Sequence, residues 1–236
     1  GGIMGALADR SGLQYKVLNK SKGRSVWSPR AQIDKRVYES LVRSSVLGLE
    51  GLVFIEGEVV SLKIKNNTIS GANMRDGTTL SAGAVVLTCG TFLSGLIHIG
   101  DRQISAGRMG EAHSAGITES LSSLGFKTMR LKTGTPPRVL KQSVDWTKAI
   151  EDFGDKKPVP FSLFTKNFKP KNEPCHLVKT NENAHEVIQK NLNKSPMFSG
   201  EIKATGPRYC PSIEDKIDRF ANQESHLLFL EPEWYL

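Results

Sequence analysis

The sequence predicts an α/β fold, and three patterns lead to that prediction. Apolar residues recur at helical spacing from Arg30 to Leu47, which indicates a helix with one apolar face. Short alternating runs between Val59 and Ser81, separated by Asn66-Asn67 and Asp76-Gly77, predict a small antiparallel meander. The continuous apolar run Ala84–Thr88 predicts a strand buried on both faces, as in a parallel sheet.

Further elements surround this frame. The apolar run Leu52–Ile55 predicts one more strand, and Cys175–Lys179 predicts another. The stretch from Val139 to Lys171 is rich in Pro and Lys, so we expect a surface insertion with one short helix at Val144–Phe153. Other helices are expected at about 117–124, at 181–192 and from Ile213 onward.

Composition restricts the class of protein. The 236 residues carry a formal net charge of +8, with 38% hydrophobic and 24% charged residues, as in ordinary globular chains. The basic charge fits either a solvated surface or a polyanionic partner such as nucleic acid. Cys89, Cys175 and Cys210 form no CxxC pair, which argues against a disulfide framework and a structural zinc site. A reducing compartment fits best.

The segment Gly206–Lys216 joins a glycine turn, an arginine, a thiol and a helix start. A helix N-terminus stabilises anions and lowers the pKa of a nearby cysteine. The segment therefore suits a dinucleotide-phosphate site with a reactive thiol. The alternative is a loop around a structural cysteine.

Two other loops have similar chemistry. Lys132–Arg138 places two cations around threonine hydroxyls and a glycine, which suits anion binding; a solvated turn is the alternative. Gly107-Arg108, followed by His113-Ser114, suits a loop beside a cofactor or substrate, although a lone histidine is more often structural. Cys175-His176 resembles a catalytic pair, but neighbours on a strand point to opposite faces.

Five blocks of sequence, taken in order, resemble the MnmG (GidA) family. They are Ser21–Gly23, Arg30–Asp34, Val86–Leu93, Leu131–Arg138 and Gly206–Glu214. The resemblance implies a partial FAD/NAD(P)-binding, Rossmann-like flavoprotein domain with an inserted α+β domain. It implies an enzyme that uses FAD, NADH and methylene-tetrahydrofolate to install a carboxymethylaminomethyl or taurinomethyl group on carbon 5 of the tRNA wobble uridine. The implied partners are tRNA, an MnmE-type GTPase and, for a full-length protein, a second subunit in a homodimer. The implied location is mitochondrial, or cytoplasmic in a bacterium.

The resemblance also implies roles for individual residues. Cys210, Lys132 and Arg138 take catalytic roles. The residues implied in FAD or NAD binding are Val59, Gly90, Thr91, Gly107, Arg108, Ser114, Gly206, Pro207, Arg208, Tyr209, Cys210, Pro211, Ser212, Ile213, Glu214, Asp215, Lys216 and Phe220. No metal site is implied.

Three regions follow from this resemblance: a partial FAD-binding domain over 1–135 with its meander at about 52–82, an inserted NAD-binding region over 136–225, and the start of a return to the FAD domain over 226–236. The sequence has no G-x-G-x-x-G phosphate loop, and both ends suggest cuts through a longer chain. We therefore expect a fragment that binds FAD weakly or not at all by itself. A non-catalytic RNA- or partner-binding remnant and a folate- and FAD-dependent tRNA uridine methyltransferase remain alternatives.

Overall fold

The computed structural model describes residues 2–132, 134–196, 198–200 and 212–234. Within these ranges the chain is mixed α/β, which confirms the predicted fold class. The helices are α1 (Ile3–Ser11), α2 (Lys35–Leu47), α3 (Ile117–Ser123), α4 (Glu182–Lys190) and α5 (Ile213–Arg219). The strands are β1 (Gly12–Leu18), β2 (Ser28–Ile33), β3 (Val59–Lys65), β4 (Thr68–Met74), β5 (Thr79–Ser81), β6 (Ile97–Ile99), β7 (Arg102–Ile104), β8 (Ala106–Arg108), β9 (Glu111–Ala112), β10 (Ile150–Asp152), β11 (Cys175–Lys179) and β12 (Leu227–Leu230).

The chain divides into two compact units. Unit 1 comprises Gly1–Phe54, Pro137–Glu182 and Gln223–Leu236, and unit 2 comprises Ile55–Pro136 and Asn183–Asn222. These units are defined by packing, whereas the regions predicted from the family resemblance are defined by cofactor. The division into FAD and NAD regions therefore stays a prediction.

Unit 1 begins with a hairpin that continues into a helix. Strands β1 and β2 pair antiparallel, with Tyr15 opposite Ala31. Asp34 then caps α2, since its carboxylate accepts hydrogen bonds from the backbone N–H groups of Arg36 and Val37, both at 3.0 Å. The predicted helix is confirmed, but its predicted start at Arg30 is wrong, because residues 30–33 are used as a strand.

The core of unit 1 forms where the central part of the chain packs on β1. Leu13 and Tyr15 are 2% and 3% exposed, and the Phe168 ring meets the Tyr15 ring edge-on at 4.8 Å. The backbone N–H groups of Asp155 and Glu173 donate to the carbonyls of Tyr15 and Leu13, each at 2.8 Å. Much of the predicted surface insertion is therefore an integral part of this unit.

A three-stranded antiparallel sheet completes unit 1, in the order β10-β11-β12. The predicted strand Cys175–Lys179 is confirmed. The predicted helix at Val144–Phe153 is wrong, because only Trp146–Lys148 forms a single 3-10 turn and the next residues pair as β10. Their pairing with β11 spans a long separation in sequence, which local periodicity does not reveal.

The predicted meander forms the framework of unit 2. Strands β3, β4 and β5 pair antiparallel in sequence order. Asn66, Asn67 and Gly77 adopt positive φ at the two turns, which is why these residue types were diagnostic. Helix α3 packs against β3 with Ile117 only 2% exposed.

Two predicted strands are absent from the described part of the chain. Leu52–Ile55 and Ala84–Thr88 pair with none of the described strands, and Val53 and Val86 are 79% and 84% exposed. A strand needs a neighbouring edge for its backbone hydrogen bonds, and apolarity alone does not provide one. Part of the second run instead borders an apolar cavity of about 360 Å³ in unit 2. Its lining residues are Leu62, Ile64, Ile69, Ala84, Val85, Leu87, Leu124 and Phe126.

Helices α3, α4 and α5 confirm the predictions near residues 117, 181 and 213. None of the helices in the described ranges is both long and apolar enough to cross a membrane.

Candidate functional site

A glycine-rich cluster in unit 2 brings together several residues predicted to bind a cofactor. The Thr91 hydroxyl donates to the Gly107 carbonyl at 3.2 Å. Ser114 forms a parallel bridge with Leu93, and its N–H group donates to the Phe92 carbonyl at 2.9 Å. Residues far apart in sequence thus form one local structure, which we call the glycine cluster (90–95, 106–108 and 112–116).

Close packing explains why glycine occupies several of these positions. A Cβ atom on Gly107 would lie 2.1 Å from the Phe92 ring, and one on Gly95 would lie 2.5 Å from the Ala106 carbonyl oxygen. A larger residue at either position would force these loops apart. These two glycines therefore serve the packing of the loops themselves.

Gly90 differs from these two, because its backbone is open. It adopts a φ of +56°, and a Cβ atom built there would meet nothing within 4 Å. Its backbone is therefore open to the approach of a flat ring or a phosphate. This glycine therefore leaves room beside the cluster for a bound group.

The cluster is tied to the meander beside Val59, the first residue of β3. The Glu58 carboxylate accepts from the Arg75 guanidinium at 2.8 Å and from the Ala115 N–H group at 3.3 Å. The hydrogen bond from Arg75 is the main reason why the pKa of Glu58 lies below its ordinary value. Glu58 therefore stays ionised, and it positions the loop that carries Ser114.

Arg108 and His113 are engaged within the same unit. Arg108 is exposed and pairs with Glu111 across the β8–β9 turn. The His113 Nδ1 atom lies 3.1 Å from the Gly95 carbonyl oxygen. The geometry therefore gives His113 a structural contact, as a lone histidine more often has.

The segment that contains Lys132 approaches the start of α5. A Cβ atom on Gly134 would lie 3.9 Å from the Ser212 Cβ atom, which is ordinary van der Waals contact. Lys132 itself is half-buried. Two of the predicted anion-binding segments are therefore neighbours in unit 2.

Helix α5 begins after the cap that the sequence predicts, Ser212, but the reciprocal bond from Asp215 is a feature that the sequence analysis missed. The Ser212 hydroxyl accepts from the Asp215 N–H group at 3.2 Å, and the Asp215 carboxylate accepts from the Ser212 N–H group at 3.0 Å. Asp215 thus takes the position where glutamate is usual. Ile217 is fully buried, whereas Phe220, a predicted cofactor contact, is 54% exposed.

Several predicted residues lie outside the described ranges. They are Gly206, Pro207, Arg208, Tyr209, Cys210 and Pro211. Their predicted roles are neither supported nor opposed by the geometry.

Arg138 belongs to unit 1 and is held by an acidic partner. Its Nε atom lies 2.7 Å from the Glu233 carboxylate, which also lies 3.3 Å from the Lys35 ammonium. The hydrogen bond from Arg138 is the main cause of the lowered pKa of Glu233. Sequence reasoning gave Arg138 a direct role toward an anion and missed Glu233, which lies 95 residues further along the chain.

The adjacent Cys175 and His176 diverge, as expected for neighbours on a strand. Cys175 is 1% exposed, and burial raises the pKa of its thiol above the ordinary value. The His176 ring contacts the Trp146 ring in a tilted arrangement, with 4.5 Å between the ring centroids. The thiol is therefore held neutral in the core of unit 1, and the pair forms no catalytic couple.

No group of three or more potential metal ligands occurs among the described residues. The fold and the loops define a class first: an α/β chain with a cluster of glycine-rich turns that backbone contacts hold together. Within that class the family model for glucose inhibited division protein A matches residues 1–235, and the chain belongs to this family.

Known proteins resemble the chain along its whole length. Enzymes from Thermodesulfovibrio yellowstonii and Flavobacterium johnsoniae, both named tRNA uridine 5-carboxymethylaminomethyl modification enzyme MnmG, are 46% and 47% identical over 99% of the chain. The form I crystal structure of Aquifex aeolicus GidA superposes on all of the chain with a TM-score of 0.90 at 41% identity. The chain spans 37% and 38% of the two enzymes and 40% of the Aquifex chain.

Proposed function

We propose that this sequence forms part of a flavoenzyme that modifies carbon 5 of the wobble uridine in tRNA, with FAD and NADH as cofactors. The observation that carries the proposal is the match over the whole chain to Aquifex GidA, with a TM-score of 0.90 and 41% identity. The names of the two bacterial enzymes support tRNA uridine as the substrate. Because the chain spans less than two-fifths of those enzymes, the proposal concerns this sequence within an enzyme of their length.

In this proposal the glycine cluster holds FAD. Gly90 offers open backbone, while the contacts of Thr91, Gly107 and Ser114 fix the shape of the surrounding loops. FAD, when bound, supplies the hydride chemistry, and the protein supplies position and electrostatics. The segment 206–216 is proposed to bind NADH.

Roles in the reaction are also proposed for three polar residues. Cys210 acts on the uridine as nucleophile or as acid–base thiol, and Lys132 acts as a cation toward flavin or RNA. Arg138 is assigned the same role. Its guanidinium already pairs with the Glu233 carboxylate, so Arg138 acts as a positioning residue as long as that ion pair is kept. The roles of Cys210 and Lys132 come from the family resemblance.

The finer features of the reaction remain part of the proposal. They are a carboxymethylaminomethyl or taurinomethyl product, a one-carbon unit from methylene-tetrahydrofolate, an MnmE-type GTPase partner, a homodimer and a mitochondrial location. The last rests on the resemblance and on the sequence pI of about 9.4.

A segment exchange tests the proposal. The sequence replaces the matching segment of the Thermodesulfovibrio enzyme in a bacterial strain that lacks its own copy, and wobble uridine is measured by mass spectrometry of total tRNA. We expect the exchanged enzyme to restore the modified nucleoside, and Cys210→Ser to abolish it. Cys175→Ala is the matched control, because that buried thiol has no proposed catalytic role. Folded, flavin-loaded enzyme without modified uridine would refute the proposal.

The isolated chain tests the cofactor part separately. The sequence has no G-x-G-x-x-G loop, and the phosphates of FAD depend strongly on such a loop and its helix N-terminus. We therefore expect the purified 236-residue chain to lack the flavin absorbance band. A stoichiometric flavin band would show that the glycine cluster suffices.

A further inference from the structure

The connection between β1 and β2 carries concentrated positive charge. From Arg10 to Ile33 the sequence contains no Asp or Glu. The same stretch contains the cations Arg10, Lys16, Lys20, Lys22, Arg24 and Arg30. We use the name basic loop for Asn19–Trp27, the part of this stretch that joins the two strands.

The basic loop is well ordered by its own contacts. The Asn19 side-chain amide donates to the Val26 carbonyl at 3.3 Å, and the Lys22 N–H group donates to the Asn19 carbonyl at 2.9 Å. Asn19 and Gly23 adopt positive φ, which closes two successive 3-10 turns. Its surface groups therefore have defined positions before any partner binds, which reduces the entropy lost on binding.

An aromatic ring lies across this loop. The Trp27 indole N–H group donates to the Lys20 carbonyl at 3.3 Å, and the Arg24 guanidinium lies 5.6 Å from the ring centroid. Trp27 is nevertheless 42% exposed. A tryptophan fixed at its polar edge and left partly open is suited to stacking against another ring.

The charges beside the ring are only partly neutralised. Lys20 pairs with Asp155 at 2.7 Å. Lys22 and Arg24 form no ion pair with any described residue, and both are exposed. The loop thus combines a partly open indole with two exposed cations, of which Arg24 lies over the ring, and it contains no carboxylate.

We propose that the basic loop binds single-stranded RNA, with a base stacked on Trp27 and phosphates contacted by Lys22 and Arg24. An indole with a guanidinium beside it and a further cation in the same loop matches a nucleotide, because the base has a flat face and the phosphate carries the charge. An unpaired base is required, since bases inside a duplex have no free face. The inference rests on the proposed function, because the proposed substrate, tRNA, has unpaired bases in its loops.

Fluorescence anisotropy of a labelled 17-nucleotide stem-loop RNA tests the proposal with the 236-residue chain. We expect Lys22→Ala with Arg24→Ala to raise the Kd at least tenfold. The slope of log K against log salt should fall by about 1.4, since each lost single-strand phosphate contact accounts for about 0.7. Trp27→Leu should raise the Kd about tenfold with the salt slope unchanged, because stacking releases no counterions.

The matched control is Lys63→Ala with Lys65→Ala. It removes the same charge from exposed lysines of β3 that make no ion pair among the described residues. A Kd within about twofold of the original is expected for this control. Circular dichroism and thermal melting show whether each variant is folded, and the exposed position of the loop predicts unchanged melting.

Three results would overturn the proposal: no RNA binding by the original chain, equal losses in loop and control variants, or equal affinity for a blunt duplex of the same length. The segment exchange separates this proposal from the proposed function. If the exchanged enzyme restores uridine modification but the loop variants bind RNA as tightly as the original chain, the basic loop is not an RNA-binding site. The proposed function would be unaffected by that result.

Discussion

The side chain of Gln14 offers a sharp test of how unit 1 is held together. Gln14 is 4% exposed, and its amide nitrogen donates to the carbonyls of Asp152 at 2.7 Å and Glu173 at 3.0 Å. Its amide oxygen lies 3.8 Å from the Cys175 sulfur. One buried amide therefore joins β1 to two segments more than 130 residues away in sequence. The perturbation is Gln14→Met, which keeps the volume and removes the donors.

The expected loss follows from the two carbonyls that would lose their donors. A buried polar group left without its partner costs roughly 1–3 kcal/mol. Two such groups, partly offset by the more apolar methionine, give about 2–4 kcal/mol in the free energy of unfolding. With an m-value of about 2–3 kcal/mol per M urea, the unfolding midpoint should fall by about 0.7–2 M.

Tryptophan fluorescence is the appropriate assay, because it reports on one unit only. The chain has three tryptophans, Trp27, Trp146 and Trp234, and all three lie in unit 1. Urea titration followed by this signal therefore measures unit 1 even if the units unfold separately. Far-UV circular dichroism on the same samples also reports on the unfolding of unit 2.

The control is Gln142→Met, an exposed glutamine of unit 1 whose replacement should change stability by no more than about 0.5 kcal/mol. A midpoint decrease below about 0.3 M for Gln14→Met, with an unchanged m-value, would refute the reasoning. It would mean that water or backbone rearrangement replaces both hydrogen bonds at little cost.

Three further predictions concern strain, acid stability and thiol reactivity. Gly116→Ala should destabilise unit 2 by about 2–4 kcal/mol, seen as faster hydrogen exchange in β3, because φ is +107° and the new Cβ would lie 2.4 Å from the Val60 carbonyl oxygen. Burial alone would raise the pKa of Asp155, but hydrogen bonds, led by the one from Lys20, lower it below the ordinary value. The ionised carboxylate therefore stabilises the folded chain above about pH 4, and this contribution is lost as the pH falls further. Asp155→Asn should therefore lower the urea midpoint at pH 7, and its deficit should shrink below about pH 4. Cys175 should react with iodoacetamide only after unfolding, as followed by site-resolved mass spectrometry, because it is 1% exposed and its pKa is raised.

Each of these three predictions has a comparison residue within the same chain. Gly110→Ala introduces a side chain at a φ of +82° where nothing lies within 4 Å, so it carries the backbone penalty without the clash. Glu151→Gln removes an exposed carboxylate of unit 1 and should leave the acid dependence unchanged. Cys89 is half-buried and should react in the native state. Equal behaviour of a variant and its comparison would contradict the corresponding prediction.

Local signals in the sequence were sufficient where structure depends on neighbouring residues. The meander followed from Asn66-Asn67 and Asp76-Gly77, since these residue types adopt the positive φ that tight turns need. The start of α2 was missed although Asp34 is a good N-cap, because the apolar stripe extends back into β2. Periodicity alone did not distinguish the end of a strand from the start of a helix.

Long-range partners were beyond such reasoning. The contacts of Glu233 with Arg138 and Lys35 join residues separated by 95 and 198 positions. The apolar run Ala84–Thr88 shows the opposite error, since apolarity predicted burial and Val86 is 84% exposed. A sequence pattern indicates that a segment is apolar enough to be buried. Which distant segment packs against it depends on the whole fold.

The same contrast bears on how the candidate residues should be tested. Arg138 and Ser114 were selected because they match family motifs, yet each makes its polar contacts within its own unit. Replacing Arg138 by alanine would break its ion pair with Glu233 as well as remove a functional group, so lost activity would not by itself show contact with a ligand. Lys22 and Arg24 form no ion pair among the described residues, and their removal leaves the backbone bonds of the basic loop in place. A change in RNA affinity at those two positions would therefore report on binding more directly than a change at Arg138.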